Sequence, residues 1–316
     1  MTPDEQLWQL LRGSLTARAL GIAADLGVSD ALADGSRPVA EVAAEVDADP
    51  DTLHRLLRAL ASDGVFAEEE PGVFRNTAAS ELLQTGWGDF AHLFGGVFHR
   101  TAGALDASGR PSFPAVFGTD FWSYLAAHPD ERAAFDRAME QGKERRVARL
   151  AEIEWREGET VVDVGGGNGS FLAALLAEAP ELRGIVFDLP ETVRDDDALA
   201  AAGIEFVEGS FFERVPAGDT YVLGTILHDW PDEQAAAILC TIREHAPAGA
   251  RVLILDDVVP PGNDAHGGKW LDLLMLAFAG GRERTEAEWR ALVADAGLEL
   301  EALGDRLIEA RAAQNA

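Results

Sequence analysis

The 316-residue chain has a single cysteine, Cys240, so an internal disulfide is excluded, and the residue reads as a small apolar side chain on a helix. Basic residues are scarce: 26 Lys and Arg stand against 55 Asp and Glu, for a formal net charge of -29. A phosphate backbone repels such a chain unless its cations cluster on one face. The densest basic group, Lys143, Arg145, Arg146 and Arg149, lies within one helical segment shared with Glu and Ala. No nucleic-acid partner is expected, and the acidity reads as a solvated surface. Long apolar runs are missing. None reaches the roughly 18 residues of a membrane span, and residues 1–9 lack the basic region and apolar run of a signal peptide. A cytoplasmic protein with no membrane partner is expected. Internal repeats and low-complexity tracts are absent. No cluster of His, Cys, Asp and Glu has metal-ligand spacing, so no metal is expected.

What remains is 47% hydrophobic, enough for a sizeable core, and the length suits one small and one larger domain, expected over 1–100 and 101–316. In the first, Leu15, Ala19, Ile22, Ala23 and Leu26 recur at helical spacing. Helices are expected over 39–45 and 51–62 around a turn at 47–50, the second with Leu53, Leu56, Leu57 and Leu60 on one face. Residues 64–66, 68–72 and 73–75 read as strand, turn, strand. This is helix-turn-helix plus wing, an arrangement that often binds DNA. Residues 1–100 carry 16 acidic and 7 basic side chains, and the wing holds Glu68, Glu69 and Glu70. That balance disfavours groove binding and favours a scaffold that packs against a partner subunit.

Residues 86–120 read as a Gly-, Phe- and Pro-rich connector and 129–155 as one long charged helix. From Thr160 short β-branched runs alternate with helical segments. Strands are expected over 160–164, 184–188, 204–207, 220–223 and 251–255, and helices over 171–179, 191–202 and 233–245. Residues 298–303 and 307–310 would close the sheet as a terminal hairpin. The fold class is α/β, a doubly wound parallel sheet with helices on both faces.

The run Val161-Val162-Asp163-Val164-Gly165-Gly166-Gly167-Asn168-Gly169-Ser170 leaves a strand and enters a helix. Glycines at 165, 167 and 169 permit a tight turn and close approach of a ligand to the backbone. The dinucleotide fingerprint is G-x-G-x-x-G; here Ser170 stands where its third glycine belongs, which argues against NAD. Asp188, ending the next strand, is placed to accept hydrogen bonds from ribose hydroxyls, so the pair points to a nucleoside ligand. Ser210 and Phe211, after the third strand, would sit beside the base, with the Phe211 ring covering it.

Ligands in open α/β sheets bind beyond the carboxyl ends of the strands, and His228 follows the fourth. An imidazole is mostly neutral at pH 7 and can take a proton from a phenol. Asp256 ends the fifth strand, and Glu283 lies in Gly280-Gly281-Arg282-Glu283-Arg284-Thr285. A carboxylate on the second ring nitrogen would fix the tautomer and stabilise the imidazolium. Pairing with Arg282 or Arg284 is the other role open to Glu283.

On Val162-Asp163-Val164-Gly165-Gly166-Gly167-Asn168-Gly169, Phe187-Asp188-Leu189-Pro190, Leu227-His228-Asp229-Trp230 and the 280–285 run, the chain resembles the S-adenosylmethionine (SAM)-dependent O-methyltransferases of the plant caffeic-acid and bacterial polyketide type. The resemblance spans nearly the whole chain. It implies a homodimer through an N-terminal helical winged-helix dimerisation domain, and a catalytic domain that uses SAM and releases S-adenosylhomocysteine (SAH). It implies methyl transfer to a hydroxyl of a small aromatic or polyketide-type acceptor, by in-line displacement with His228 as base between Asp256 and Glu283. Gly165 would contact the methionine part of SAM and Asp188 the ribose, with Gly167 also among the cofactor-binding residues. Phe135, Met139 and Met275 would line the acceptor pocket. Three positions depart from the family pattern: Ser210 replaces an Asp, Gly224 a Lys of plant members, and Asp256 a Glu. The alternatives are SAM-assisted hydroxylation or decarboxylation, methylation of nitrogen or a carboxylate, and an acidic SAM-responsive regulator.

Overall fold

In the computed structural model, which describes residues 1–192 and 196–312, a capping box opens the chain. The Glu5 carboxylate accepts from the Thr2 N–H at 2.7 Å, and the Thr2 hydroxyl accepts from the Glu5 N–H at 3.4 Å. The helix so started runs Pro3–Asp25. Two compact units follow: Met1–Gly103 with His128–Gln141, and Ala104–Ala127 with the chain from Gly142 onward.

In the N-terminal unit the first helix crosses helix Gly86–Gly95 where Gly21 meets Gly95. A Cβ on Gly21 would stand 2.8 Å from Gly95 Cα, so only glycines allow this approach. Helices Val39–Glu45 and Pro50–Ser62 bury Val42, Ala43, Leu53, Leu57 and Leu60. Strands β1 (Arg37–Pro38), β2 (Phe66–Glu70) and β3 (Val73–Asn76) form an antiparallel sheet in the order β1-β3-β2, the wing.

Two sequence expectations are corrected. The connector over 86–120 contains helices Gly86–Gly95, Val97–Gly103 and Phe113–Phe117. Thr85 caps the first by accepting from the Trp87 N–H, and the rings of Trp87, Phe90, Phe94 and Phe98 meet one another in sequence at tilted or edge-on angles. The long helix over 129–155 is two helices, Pro129–Glu140 and Lys143–Arg149. Gln141 is extended (ψ 130°) and Gly142 left-handed (φ +81°), a pair that no continuous helix accommodates. The first helix belongs to the N-terminal unit and the second to the catalytic unit.

The catalytic unit holds β4 (Thr160–Val164), β5 (Arg183–Asp188), β6 (Ile204–Glu208), β7 (Thr220–Leu223), β8 (Arg251–Ile254), β9 (Leu298–Leu303) and β10 (Ile308–Ala312). The sheet order is β6-β5-β4-β7-β8-β10-β9. β4 to β8 are parallel, and β10 runs antiparallel to β8 and β9 as the terminal hairpin. Alternate residues serve opposite faces. Val162, Val164, Tyr221, Val252 and Ile254 pack with helices Asp232–His245 and Glu286–Asp295. Val161, Val186, Val222 and Leu253 pack with helix Ser170–Glu178. Burial on both faces explains the nearly unbroken apolar strands. Of the helix expected over 191–202, the described part is Asp196–Ala201; residues 193–195 lie outside the described residues. Among the described residues, no helix is long and apolar enough to cross a membrane.

The chain reverses direction across the sheet between β4 and β7. Such a switch point opens a crevice at the carboxyl ends of the strands, where the loops after β4 to β8 meet.

Candidate active site

After Val164 the backbone turns through Gly165 (φ +71°) and Gly167 (φ +57°), a region that L side chains avoid. A Cβ on Gly165 would meet Ile226 Cδ1 at 2.6 Å, with Phe211 Cε1 at 3.6 Å. A Cβ on Gly167 would meet nothing within 4 Å, so this backbone faces open space. The Gly167 N–H donates to Asp188 Oδ2 at 2.8 Å. Asp188 Oδ1 accepts from the Leu189 N–H at 2.7 Å and the Thr192 hydroxyl at 2.9 Å. A carboxylate offers about four acceptor positions, so Asp188 keeps capacity for a ribose hydroxyl. Gly165, Gly167, Asp188 and Phe211 thus share one crevice. Ser210, beside Phe211, accepts from the Phe212 N–H at 3.3 Å. The Phe211 ring stands edge-on to Phe212 and Trp230, with centroids 5.0 and 6.0 Å apart.

One cation at this crevice escaped the sequence reading. Arg146, on helix Lys143–Arg149, places Cδ 3.8 Å from where a Cβ on Gly224 would stand, and its guanidinium 5.9 Å from the Phe171 ring centroid. Burial lowers its pKa, while Asp163 pulls the charged form back. Asp163 is itself buried in β4, and its Oδ2 makes no hydrogen bond. Burial pushes its carboxyl up to about 7 against the attraction of Arg146, and Asp188 adds to the rise. A cation thus reaches the neighbourhood of Gly224 from a helix. Only the fold reveals this, because residues 146 and 224 are far apart in sequence.

Beyond β7, Thr225 takes a left-handed conformation (φ +58°) and leads into a single 3₁₀ turn, Leu227–Asp229. His228 on that turn is 8% exposed. Its Nδ1 lies 2.6 Å from Glu283 Oε1, and its Nε2 lies 3.5 Å from Asp229 Oδ1. Glu283 is 4% exposed, and its N–H donates to Asp272 Oδ1 at 2.8 Å. Asp256, following β8, is 1% exposed, and neither of its carboxylate oxygens has a hydrogen-bond partner. Burial works against the imidazolium, but Asp229, the Glu283 hydrogen bond and Asp256 outweigh it and push His228 up to about 10. Burial pushes Asp256 up to about 7 and Asp229 up to about 6, each held back by His228. The structure therefore brings His228, Glu283 and Asp256 together and adds Asp229, which adjacency to His228 could have signalled. Arg282 and Arg284, the other partners open to Glu283, bind Asp232 at 2.9 Å each, and Arg282 also binds Glu288.

Of the three expected acceptor contacts, Met275 lies nearly buried on helix Gly268–Ala279 of the catalytic unit. Phe135 and Met139 are half-buried on helix Pro129–Glu140 of the N-terminal unit.

A glycine loop with an open backbone face, an acid with spare acceptor capacity and a nearby guanidinium suit a nucleoside that carries an amino-acid carboxylate. The adjoining imidazole–carboxylate centre can accept or return a proton. Fold and site define a nucleoside-dependent α/β transferase. The O-methyltransferase dimerisation domain family matches residues 8–86, and the O-methyltransferase domain family matches residues 98–299. The chain belongs to the SAM-dependent O-methyltransferases of secondary metabolism, and SAM is its cofactor. It is 38% identical to phenazine O-methyltransferase PhzM of Lysobacter antibioticus, covering 96% of this chain and 95% of that one. It is 40% identical to O-demethylpuromycin-O-methyltransferase of Streptomyces alboniger, covering 93% and 83%. The solved O-methyltransferase NcsB1 from neocarzinostatin biosynthesis, in complex with SAH and 1,4-dihydroxy-2-naphthoic acid, is similar at 35% identity and a TM-score of 0.80, over 94% and 96% of the two chains.

Proposed function

We propose that His228 is the general base that takes the proton from an aromatic hydroxyl of a small, flat acceptor, and that the chain works as a homodimer through its N-terminal unit. The buried 2.6 Å contact between His228 Nδ1 and Glu283 carries the proposal. In the neutral imidazole, with the proton on Nδ1 held by Glu283, Nε2 is the accepting nitrogen.

In this reading Asp188 holds the ribose, Gly165 and Gly167 admit the methionine part against the backbone, Phe211 covers the adenine with Ser210 beside it, and Arg146 faces the α-carboxylate. Bound SAM supplies an electrophilic sulfonium methyl. Three acids raise the proton affinity of His228 to about 10, close to that of a phenol, about 10 for the tyrosine hydroxyl. Proton transfer from the acceptor to Nε2 is then nearly balanced, and Glu283, Asp256 and Asp229 stabilise the cation that forms. A positioned base contributes about 10² to 10⁴ in rate. Alignment of the reacting atoms contributes more, about 7–11 kcal/mol.

Met275 contacts the acceptor from the catalytic unit. For Phe135 and Met139 the family resemblance alone supports that role. Two relatives support this acceptor class: one is named for a phenazine, and another holds a naphthoic acid, both fused aromatic systems. The test is a labelled-methyl transfer assay over hydroxynaphthoic acids, hydroxyphenazines, an aromatic amine and an aromatic carboxylate without a hydroxyl. Transfer to the hydroxylated rings alone supports the proposal. Transfer to the amine or the bare carboxylate at comparable rate contradicts it.

A further inference from the structure

The turn that carries His228 does not hold itself in place. It is three residues long with no side-chain cap, and its closing bond, Trp230 N–H to Leu227 O, is 3.4 Å long. It is preceded by a non-glycine residue in the left-handed region, Thr225, and followed by Pro231, which has no N–H to give. Such a turn needs outside support to fix a side chain within the few tenths of an ångström that catalysis requires.

That support comes from residues 281–284. The Arg282 N–H donates to His228 O at 2.8 Å. Gly281 passes so close that a Cβ there would stand 2.2 Å from His228 O. The Arg284 guanidinium reaches around the turn: Nη1 donates to Leu227 O and Nη2 to Trp230 O, each at 2.9 Å. Its Nε donates to Asp232 Oδ1 at 2.9 Å. Arg284 is 0% exposed, and its guanidinium carbon lies 5.2 Å from the ring centroid of Trp289, which is also fully buried. Withdrawing a guanidinium from water is costly and is sustained only by a full set of partners. Here the two terminal nitrogens serve the residues on either side of His228 and Asp229.

We propose that Arg284 is a positioning residue for the methyl transfer: by gripping Leu227 O and Trp230 O it keeps the His228 imidazole on Glu283 and aimed at the acceptor. The inference rests on His228 being the base. A planar fork spans both carbonyls at once, whereas a lysine ammonium has a different geometry.

The test is a double-variant cycle with Arg284→Met, Arg284→Lys and His228→Ala. kcat, acceptor KM and the pH dependence of kcat/KM are read by methyl transfer, and SAH affinity by calorimetry. Misplacement of a catalytic group by about 1 Å costs about 10²-fold, so Arg284→Met should lower kcat by about that factor. SAH affinity and acceptor KM should stay within roughly threefold. Arg284→Lys should recover part of the loss. In the His228→Ala enzyme, Arg284→Met should cost little more, because the residue acts through the imidazole. An equal loss in both backgrounds overturns this proposal alone. A His228→Ala enzyme with full turnover overturns the base reading and this proposal with it. If Arg284→Met does not fold, as judged by melting and SAH binding, Asp232→Asn goes through the same cycle. The expectation is then a smaller kcat loss that disappears in the His228→Ala background, and persistence of that loss there overturns the proposal.

Discussion

Replacing Glu283 by glutamine keeps the shape of the side chain and deletes its charge. The carboxylate it removes lies 2.6 Å from His228 Nδ1, between groups 4% and 8% exposed. Hydrogen bonds to charged partners contribute about 1.5–3 kcal/mol. If that stabilisation belongs to the imidazolium formed in the transition state, its loss lowers kcat by about 10- to 150-fold, at about 1.4 kcal/mol per decade. The pH profile moves as well. With His228 raised to about 10, the free enzyme holds the imidazolium at neutral pH, and only its neutral form accepts a proton. kcat/KM for a phenolic acceptor therefore rises with pH toward about 10. Glutamine removes one acid that retains the proton, so in Glu283→Gln the rise ends at lower pH. The assay is labelled-methyl transfer under steady-state conditions from pH 6 to about 10, with SAH binding as the control for the crevice. Turnover within about threefold of the parent, with an unmoved profile, would show that the Glu283 carboxylate does not act through His228.

Three further outcomes follow from the same geometry. Gly281→Ala puts a Cβ 2.2 Å from His228 O and 2.5 Å from Asp229 C, so it should lower kcat by about 10²-fold while SAH calorimetry changes little. Asp256→Asn should raise the melting temperature more at pH 8 than at pH 5. The buried acid is pushed up to about 7, so the folded protein bears a growing ionisation penalty as pH climbs from the unfolded value of about 4 through 7, and asparagine is free of it. Glu159 accepts from Thr220 and Arg251 at 2.5 Å each. These partners and the Arg156 N–H overcome burial and hold it down to about 2. Glu159→Ala should cost about 3 kcal/mol in urea unfolding at pH 7. The difference from the parent should be full above the unfolded value of about 4 and should shrink as pH falls toward 2.

The parallel strands were legible because burial on both faces demands short β-branched runs: 160–164 and 220–223 are strands to the residue. Helix Pro50–Ser62 of the N-terminal unit was legible through Leu53, Leu57 and Leu60 at one face. The break at Gln141–Gly142 was not, because a charged stretch with one glycine reads as helix until tertiary packing turns it. The helices of 86–103 were hidden by their glycines, although Thr85 and the spacing of Trp87, Phe90, Phe94 and Phe98 carried a trace. At the site, motif spacing picked out Gly165, Asp188, His228, Asp256 and Glu283 as separate points. What it could not supply was pairing. Glu283 had Arg282 and Arg284 as near neighbours in sequence, yet its carboxylate goes to His228, 55 residues away, while both arginines turn to Asp232. Arg146 likewise acquires meaning only when its helix lies along Gly224 and Asp163.

The role of His228 is tested most directly by turnover and SAH affinity measured side by side for His228→Ala. With His228 as the base, kcat should fall by about 10² to 10⁴, the rise of kcat/KM with pH should be lost, and SAH affinity should stay within about threefold of the parent. Unchanged turnover with the pH rise intact would show that the acceptor proton leaves by another route, and the role given to His228 would be wrong.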